Sequence, residues 1–284
     1  MSDTPTRRVA VVGIDGCGKS SVLARLRELA PRTTTFESFT CPDFHDTRNA
    51  PFATLSRQLK AMSDGADTIG NLQLKALALY LQMTLYGPVE RFFTDTYRPA
   101  VLVCERHPLI ETLVYGPFYL LLAGIDGNGA AAFDELRAVL DRTEPGAHDA
   151  ITAWHAAEMR RLGEKFELWE LLGEVADVVG ADTATSVAAL GARYRTTLPD
   201  AVLWLDVPPA QAAARCALRS KGAVMEAHET PEFLDTLRGG YLRTRDLLTA
   251  AFPELRFHTI DTSDGVDLDE SVSTCVTEGR LFDE

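Results

Sequence analysis

Long apolar runs are missing from this chain. No stretch approaches the roughly 20 apolar residues that a membrane-spanning helix needs, and the first residues show no apolar signal region. No membrane partner is expected, and a cytoplasmic protein fits best. Cysteine is scarce: Cys17, Cys41, Cys104, Cys216 and Cys275 are odd in number and form no C-x-x-C pair. A disulfide framework is excluded, and a reduced compartment is expected. Positive charge is in deficit, with 28 Lys and Arg against 41 Asp and Glu, a net charge of −13. A chain this acidic repels polyanions, so no nucleic-acid partner is expected. A metal site built on histidine is not expected either: His148 and His155 have no third ligand in view. Internal repeats and low-complexity tracts are also absent.

What is present is a globular composition, 46% hydrophobic and 24% charged over 284 residues. One stretch organises it. Gly13-Ile14-Asp15-Gly16-Cys17-Gly18-Lys19-Ser20 reads as G-x-x-x-x-G-K-[ST]. The apolar run Val9–Val12 precedes it as a buried strand would, and Val22, Leu23, Leu26 and Leu29 follow on one helix face. Strand, glycine-rich turn and helix are the context in which this motif cradles phosphates. Gly13, Gly16 and Gly18 let backbone N–H groups approach a phosphate chain at a helix N-terminus. Lys19 can reach the β- and γ-phosphates of ATP, and the Ser20 hydroxyl can sit on Mg²⁺. The bland alternative is a turn that binds nothing. A helix N-terminus can also lower the Cys17 thiol pKa, although a small filler is the simpler reading.

The remaining pattern alternates strands and helices. The first strand is Arg8 to Val12 and the first helix Lys19 to Ala30, stopped by Pro31. A second strand, Thr33 to Phe39, is expected to end near Glu37, placing an acid at the cleft. Helices follow over Phe52 to Met62 and Leu72 to Thr94, the latter kinked at Pro88. A third strand, Ala100 to Cys104, ends in Glu105-Arg106-His107. There Glu105 can hold Mg²⁺ or its water and Arg106 can clamp phosphate oxygens; a surface pair capping a strand is the alternative. Residues 120 to 197 read as helical, with aromatics that suit a core or interface. The fourth strand is Ala201 to Asp206; the next helix carries Arg215 and Arg219 and runs into Ser220–Ala223. Those basic groups either close over ATP phosphates or form a solvated face. A fifth strand, Arg256 to Ile260, precedes a last helix. The expected fold is α/β: a doubly wound, five-stranded parallel sheet with its site at the strands' carboxyl ends.

These segments together resemble the thymidylate kinase branch of the P-loop nucleoside and nucleotide kinases. Residues 13 to 21, through Ser21, are similar to that family's G-x-D-G-x-G-K-[ST]-[ST], with Asp15 as its distinctive acid. Glu105-Arg106-His107 resembles its D-R-[YH] and equally the E-R-S of deoxyribonucleoside kinases. Leu203–Pro209 resembles L-x-L-D-V-P-P; Glu226 with Phe233 to Leu242 resembles the segment after the lid, and Ile260-Asp261-Thr262 the adenine-side loop. The resemblance implies a P-loop NTPase fold with strand order 2-3-1-4-5. It implies one domain over 1–284, with a helical insertion at about 120–197 and a lid at about 215–228. It implies ATP and Mg²⁺ as cofactors, held by Gly13 to Ser21 with Arg215 and Arg219. Lys19, Asp15, Glu105 and Arg106 would be catalytic, with Ser20 and Glu105 toward the metal. Glu37, Phe39, Arg106, Ile110 and Tyr115 would face the acceptor, and a homodimer is expected.

The acceptor half departs from the family. Cys41-Pro42-Asp43-Phe44 replaces E-P-G-G, Leu85 stands near the helix arginine that grips the acceptor phosphate, and Ile110 and Tyr115 replace Ser and Gln. Ala223 and Val224 replace the lid's D-R pair. Three readings stay open: a nucleoside monophosphate kinase, a hydroxyl-acceptor kinase using Glu37 or Glu105 as base, and a nucleotide-binding module without transfer. A polynucleotide-end kinase is disfavoured by the acidic charge.

Overall fold

Val9 to Val12 have no exposed surface, which places their strand at the centre of a sheet covered on both faces. The computed structural model describes residues 5–124, 129–219 and 230–282. In chain order the elements are β1 (Arg7–Val12), α1 (Lys19–Leu29), β2 (Phe36–Thr40), α2 (Ala53–Thr68), α3 (Leu72–Met83), α4 (Tyr86–Tyr97) and β3 (Val101–Glu105). Then come α5 (Pro108–Val114), α6 (Gly116–Ala123), α7 (Gly129–Thr143), α8 (Ala147–Leu162), α9 (Leu171–Gly180) and α10 (Thr183–Tyr194). The chain closes with β4 (Ala201–Asp206), α11 (Pro209–Arg219), α12 (Pro231–Ala251), β5 (Arg256–Asp261) and α13 (Leu268–Gly279).

The sheet order is β2-β3-β1-β4-β5. β1 pairs in parallel with β3 and β4, and β4 with β5. The fold is therefore a five-stranded, doubly wound parallel sheet in the expected order. Register sets the site. Glu105 stands opposite Val11, and Asp206 opposite Asp261. The acids thus gather at the carboxyl ends of the strands, beside the turn that follows β1.

The chain divides into two compact units. The first comprises Met1–Phe39, Phe93–Val114 and Leu198–Glu284, and contains the sheet. The second comprises Thr40–Phe92 and Tyr115–Thr197 and is helical. In the second unit α2 lies against α3, α7 and α8, and α6 against α9. Leu59, Met62, Leu81, Leu136, Ile151 and Leu190 form its interior. The helices of 115–197 thus share a core with α2 and α3.

Local details differ from the sequence reading. The second strand starts at Phe36 because the Thr34 N–H turns back to the Pro31 carbonyl, 3.0 Å away. The helix expected over 72–94 is two helices, broken at Thr84 and Leu85. Pro88 does not kink it but sits in the first turn of α4, where no intrahelical N–H is needed. Leu29, the last residue of α1, is 44% exposed, while Val22, Leu23 and Leu26 are buried as expected.

Candidate active site

The turn after β1 is built by glycine. Gly13 has φ +148°, and a Cβ there would meet the Leu205 carbonyl oxygen at 2.6 Å. Gly16 has φ +78°, and a Cβ would stand 2.3 Å from the Ala212 oxygen of α11. Gly18, in the left-handed region, opens α1, and among the described residues no side chain caps that helix. By contrast α3, α10 and α12 are capped by Asn71, Asp182 and Thr230. α1 thus opens without a side-chain cap, at a helix N-terminus of the kind that binds anions.

Lys19 folds back into this loop. Its Nζ donates to the carbonyls of Gly13 and Ile14, both at 2.9 Å, and lies 3.8 Å from the Asp15 carboxylate. Ser20 Oγ lies 3.0 and 3.1 Å from the two carboxylate oxygens of Glu105. A hydroxyl and a carboxylate adjoining at a phosphate loop are the hard oxygen donors that suit Mg²⁺, whose remaining positions go to phosphate oxygens and waters. These residues fit that ion. Ser21 is exposed on α1.

Arg106 has a left-handed backbone, φ +63°. Its N–H donates to the Val11 carbonyl at 2.9 Å. Its guanidinium joins Asp15 through Nη2 and Glu111 through Nη1, the latter at 2.9 Å. Glu111 is 2% exposed and accepts a 2.7 Å hydrogen bond from the Tyr241 hydroxyl, which also lies 3.2 Å from the Gly13 carbonyl oxygen. Five residues from four separate segments thus close a ring around the start of the phosphate loop. Asp206 at the end of β4 is held by Arg238 of α12 through bonds of 2.7 and 2.8 Å.

Arg215 donates to the Thr262 carbonyl at 2.9 Å and to Asp264 at 2.6 Å, with Nη1 3.4 Å from the Gly16 oxygen. It ties α11 to the phosphate loop and to the turn after β5. Arg219, the last residue of α11, is exposed, with Nη2 3.9 Å from Cys216 Sγ. Both stand on α11. Lys221, Ala223, Val224 and Glu226 lie outside the described residues.

Other expected site residues fall elsewhere. Glu37 is the second residue of β2, which runs on to Thr40, so it does not mark the strand's carboxyl end. Burial pushes its carboxyl up against the opposing pull of Arg27. Phe39 is fully buried and stacks on Phe93 with centroids 5.6 Å apart, a core pair with no face open to a ligand. Ile110 is fully buried in α5. Tyr115 is half-buried at the N-cap of α6, its ring 6.1 Å from Phe118. Cys17 is buried, and burial outweighs the nearby cations to push its thiol up, not down. His148 meets Asp149, and His155 Nε2 lies 2.8 Å from the Phe166 carbonyl oxygen; among the described residues no cluster of three metal-binding side chains occurs. The sequence reading missed Glu111, Tyr241 and Arg238. Glu111 carried one signal, an acid placed among the apolar residues Leu109, Ile110, Leu113 and Val114.

In the helical unit Gln82 is fully buried, its Nε2 3.5 Å from Asp43 and its Oε1 without a hydrogen-bond partner among the described residues. Leu85 is fully buried as well.

No family model and no curated protein matches the chain. Similar solved structures include deoxyadenosine kinase from M. mycoides with the products dCMP and a flexible dCDP bound, at 13% identity and a TM-score of 0.46 over 95% of this chain and 97% of that one. The same enzyme with dATP gives 13% and 0.41 over 95% and 98%. With dCTP it gives 14% and 0.44 over 95% and 97%.

Proposed function

We propose that this protein is an ATP- and Mg²⁺-dependent phosphotransferase of the nucleoside and nucleotide kinase type, acting on a nucleoside monophosphate or a related small molecule in the manner of thymidylate kinases. One observation carries the reading: the Ser20 hydroxyl stands against the Glu105 carboxylate at the mouth of an uncapped phosphate loop. A simple phosphate-binding turn has no use for that acid.

The uncapped N–H groups of α1 would receive the β-phosphate. Lys19 would exchange its two loop carbonyls for β- and γ-phosphate oxygens, gaining charged partners for neutral ones. Ser20 and Glu105 would hold Mg²⁺, which when bound offsets the charge of the phosphate oxygens. Arg106 would leave one of its carboxylates to grip the γ-phosphoryl group or the acceptor. An acceptor oxygen then bonds to the γ-phosphorus as the bond to the β–γ bridging oxygen breaks. Positioning and charge neutralisation supply nearly all of such catalysis. Arg215 would steady the adenine side through its bond to the Thr262 carbonyl.

A second reading is supported by Leu85. In the family resemblance Leu85 stands near the helix arginine that grips the acceptor phosphate, and it is fully buried; the loss of that arginine would suit a hydroxyl acceptor. Such a kinase needs a carboxylate base. With Glu37 displaced from the strand end, Glu105 is the acid for that role.

The test is ADP release with Mg²⁺ and ATP across common nucleosides, their 5′-monophosphates and modified analogues. Turnover with a monophosphate supports the first reading, and turnover only with nucleosides the second. Lys19→Ala should abolish either while leaving the melting temperature within a degree or two of wild type. ATP binding without any turnover would instead indicate a nucleotide-binding module. A homodimer belongs to the same proposal, supported by Leu120 and Leu121, 48% and 66% exposed on α6. Light scattering at twice the 31.1 kDa chain mass is the expected result.

A further inference from the structure

We propose that Glu111 and Tyr241 are the positioning residues of this site, holding Arg106 and the first carbonyl of the phosphate loop in one fixed frame. The catalytic consequence rests on the kinase reading above; the frame itself does not.

The two partners of Arg106 are unequal. Asp15 has a side chain 20% exposed, whereas that of Glu111 is 3% exposed. A buried carboxylate is retained only when its oxygens are satisfied, and both oxygens of Glu111 are committed, one to Arg106 and one to Tyr241. Arg106 can exchange Asp15, on the loop, for a phosphate, whereas it keeps Glu111. The arginine therefore keeps one anchor while its outer face changes partner.

The backbone requires such an anchor. A non-glycine residue in the left-handed region is strained and persists only when its surroundings hold it. The Arg106 N–H is fixed to Val11 of β1, and its side chain to α5 through Glu111. α5 is itself locked to α12 beside this point. Gly240 approaches Val114 so closely that a Cβ would lie 2.9 Å from its oxygen, and Tyr241 stacks on Trp204 of β4 at 6.1 Å. Tyr241 is 1% exposed and reaches both Glu111 and Gly13. It sets the distance between the arginine's anchor and the loop.

The experiment combines E111Q, E111D and Y241F with R106A. E111Q is expected to lower kcat about 10- to 100-fold while ATP affinity, read by calorimetry, changes less than about twofold. Y241F is expected to cost about fivefold, one hydrogen bond's worth, and E111D to recover part of the E111Q loss. In the R106A background E111Q should cost nothing further. The same loss in both backgrounds, or wild-type turnover in E111Q, overturns the proposal. Amide hydrogen exchange needs no turnover. E111Q or Y241F should speed exchange at residues 13–15 and 105–107 and leave α13 unchanged. Unchanged exchange at those residues in both variants overturns the frame. A silent wild type sinks the kinase reading alone, and exchange then decides this one.

Discussion

At the scale of single residues, opposing effects meet and magnitudes decide. Cys17 sits beside a helix N-terminus and Lys19, both of which favour a thiolate, yet its burial dominates and the thiol is raised. A helix terminus is worth about 0.3–1 kcal/mol, whereas desolvation of a fully buried charge shifts a pKa by several units. All five cysteines are buried, and Cys275 is pushed up to about 12. Ellman's reagent is therefore expected to react slowly with native protein and to count five thiols in denaturant. A fast thiol protected by ATP would place an activated Cys17 in the loop and reverse this conclusion. Glu37 gives a pH prediction. Its folded carboxyl lies above the ordinary 4.5, with burial as the first cause. An acid raised on folding costs stability only when ionised. The penalty is absent below 4.5, grows as pH rises through the folded value, and is full above it. Glu37→Gln should thus raise the melting temperature at neutral pH and leave it unchanged in acid. An equal gain at both ends would assign the effect to packing.

At the scale of elements, legibility followed how local the cause was. Ala201–Asp206 reads directly from an unbroken apolar run, because a strand buried on both faces needs nothing else. The phosphate loop was legible because its motif is contiguous in sequence, although the backbone groups that demand Gly13 and Gly16 belong to the distant Leu205 and Ala212. The second strand was displaced because a turn at Pro31 consumes Thr34, and β-branched residues look alike in turn and strand. The break at Leu85 was hidden because an apolar run without a breaker reads as one helix, and Pro88 reads as a kink whether or not it opens a new first turn. Gly16 gives the element-scale prediction. Its Cα faces the Ala212 carbonyl of α11, and its φ lies where a side chain is strained. Gly16→Ala should push α11 off the loop, lowering the melting temperature and ATP affinity together. Lys19→Ala should lower the second alone. Gly16→Ala with wild-type stability would mean that α11 yields without cost.

At the scale of the whole molecule, the sequence is least informative. Apolar spacing in 53–83 and 120–197 says that each helix buries a face, not against what, so the shared core of α2, α3 and α7 to α9 had no signal. The ring of Gly13, Asp15, Arg106, Glu111 and Tyr241 draws on positions up to 228 apart, which only the fold brings together. Net charge, by contrast, is legible and acts at long range. At −13 the molecule repels an anion over a Debye length of about 10 Å at 0.1 M salt, while the basic groups of the site act at contact distance. Added salt screens the long-range repulsion first. With ATP saturating, kcat/KM for a monophosphate acceptor should therefore rise as ionic strength goes from about 20 to about 150 mM, since the approaching acceptor carries charge. For an uncharged nucleoside the same titration should be flat. A monophosphate rate that falls with salt would mean that a local positive field governs encounter. The two slopes, taken on one preparation, separate a phosphate acceptor from a hydroxyl acceptor by a property of the whole surface, independently of any site residue.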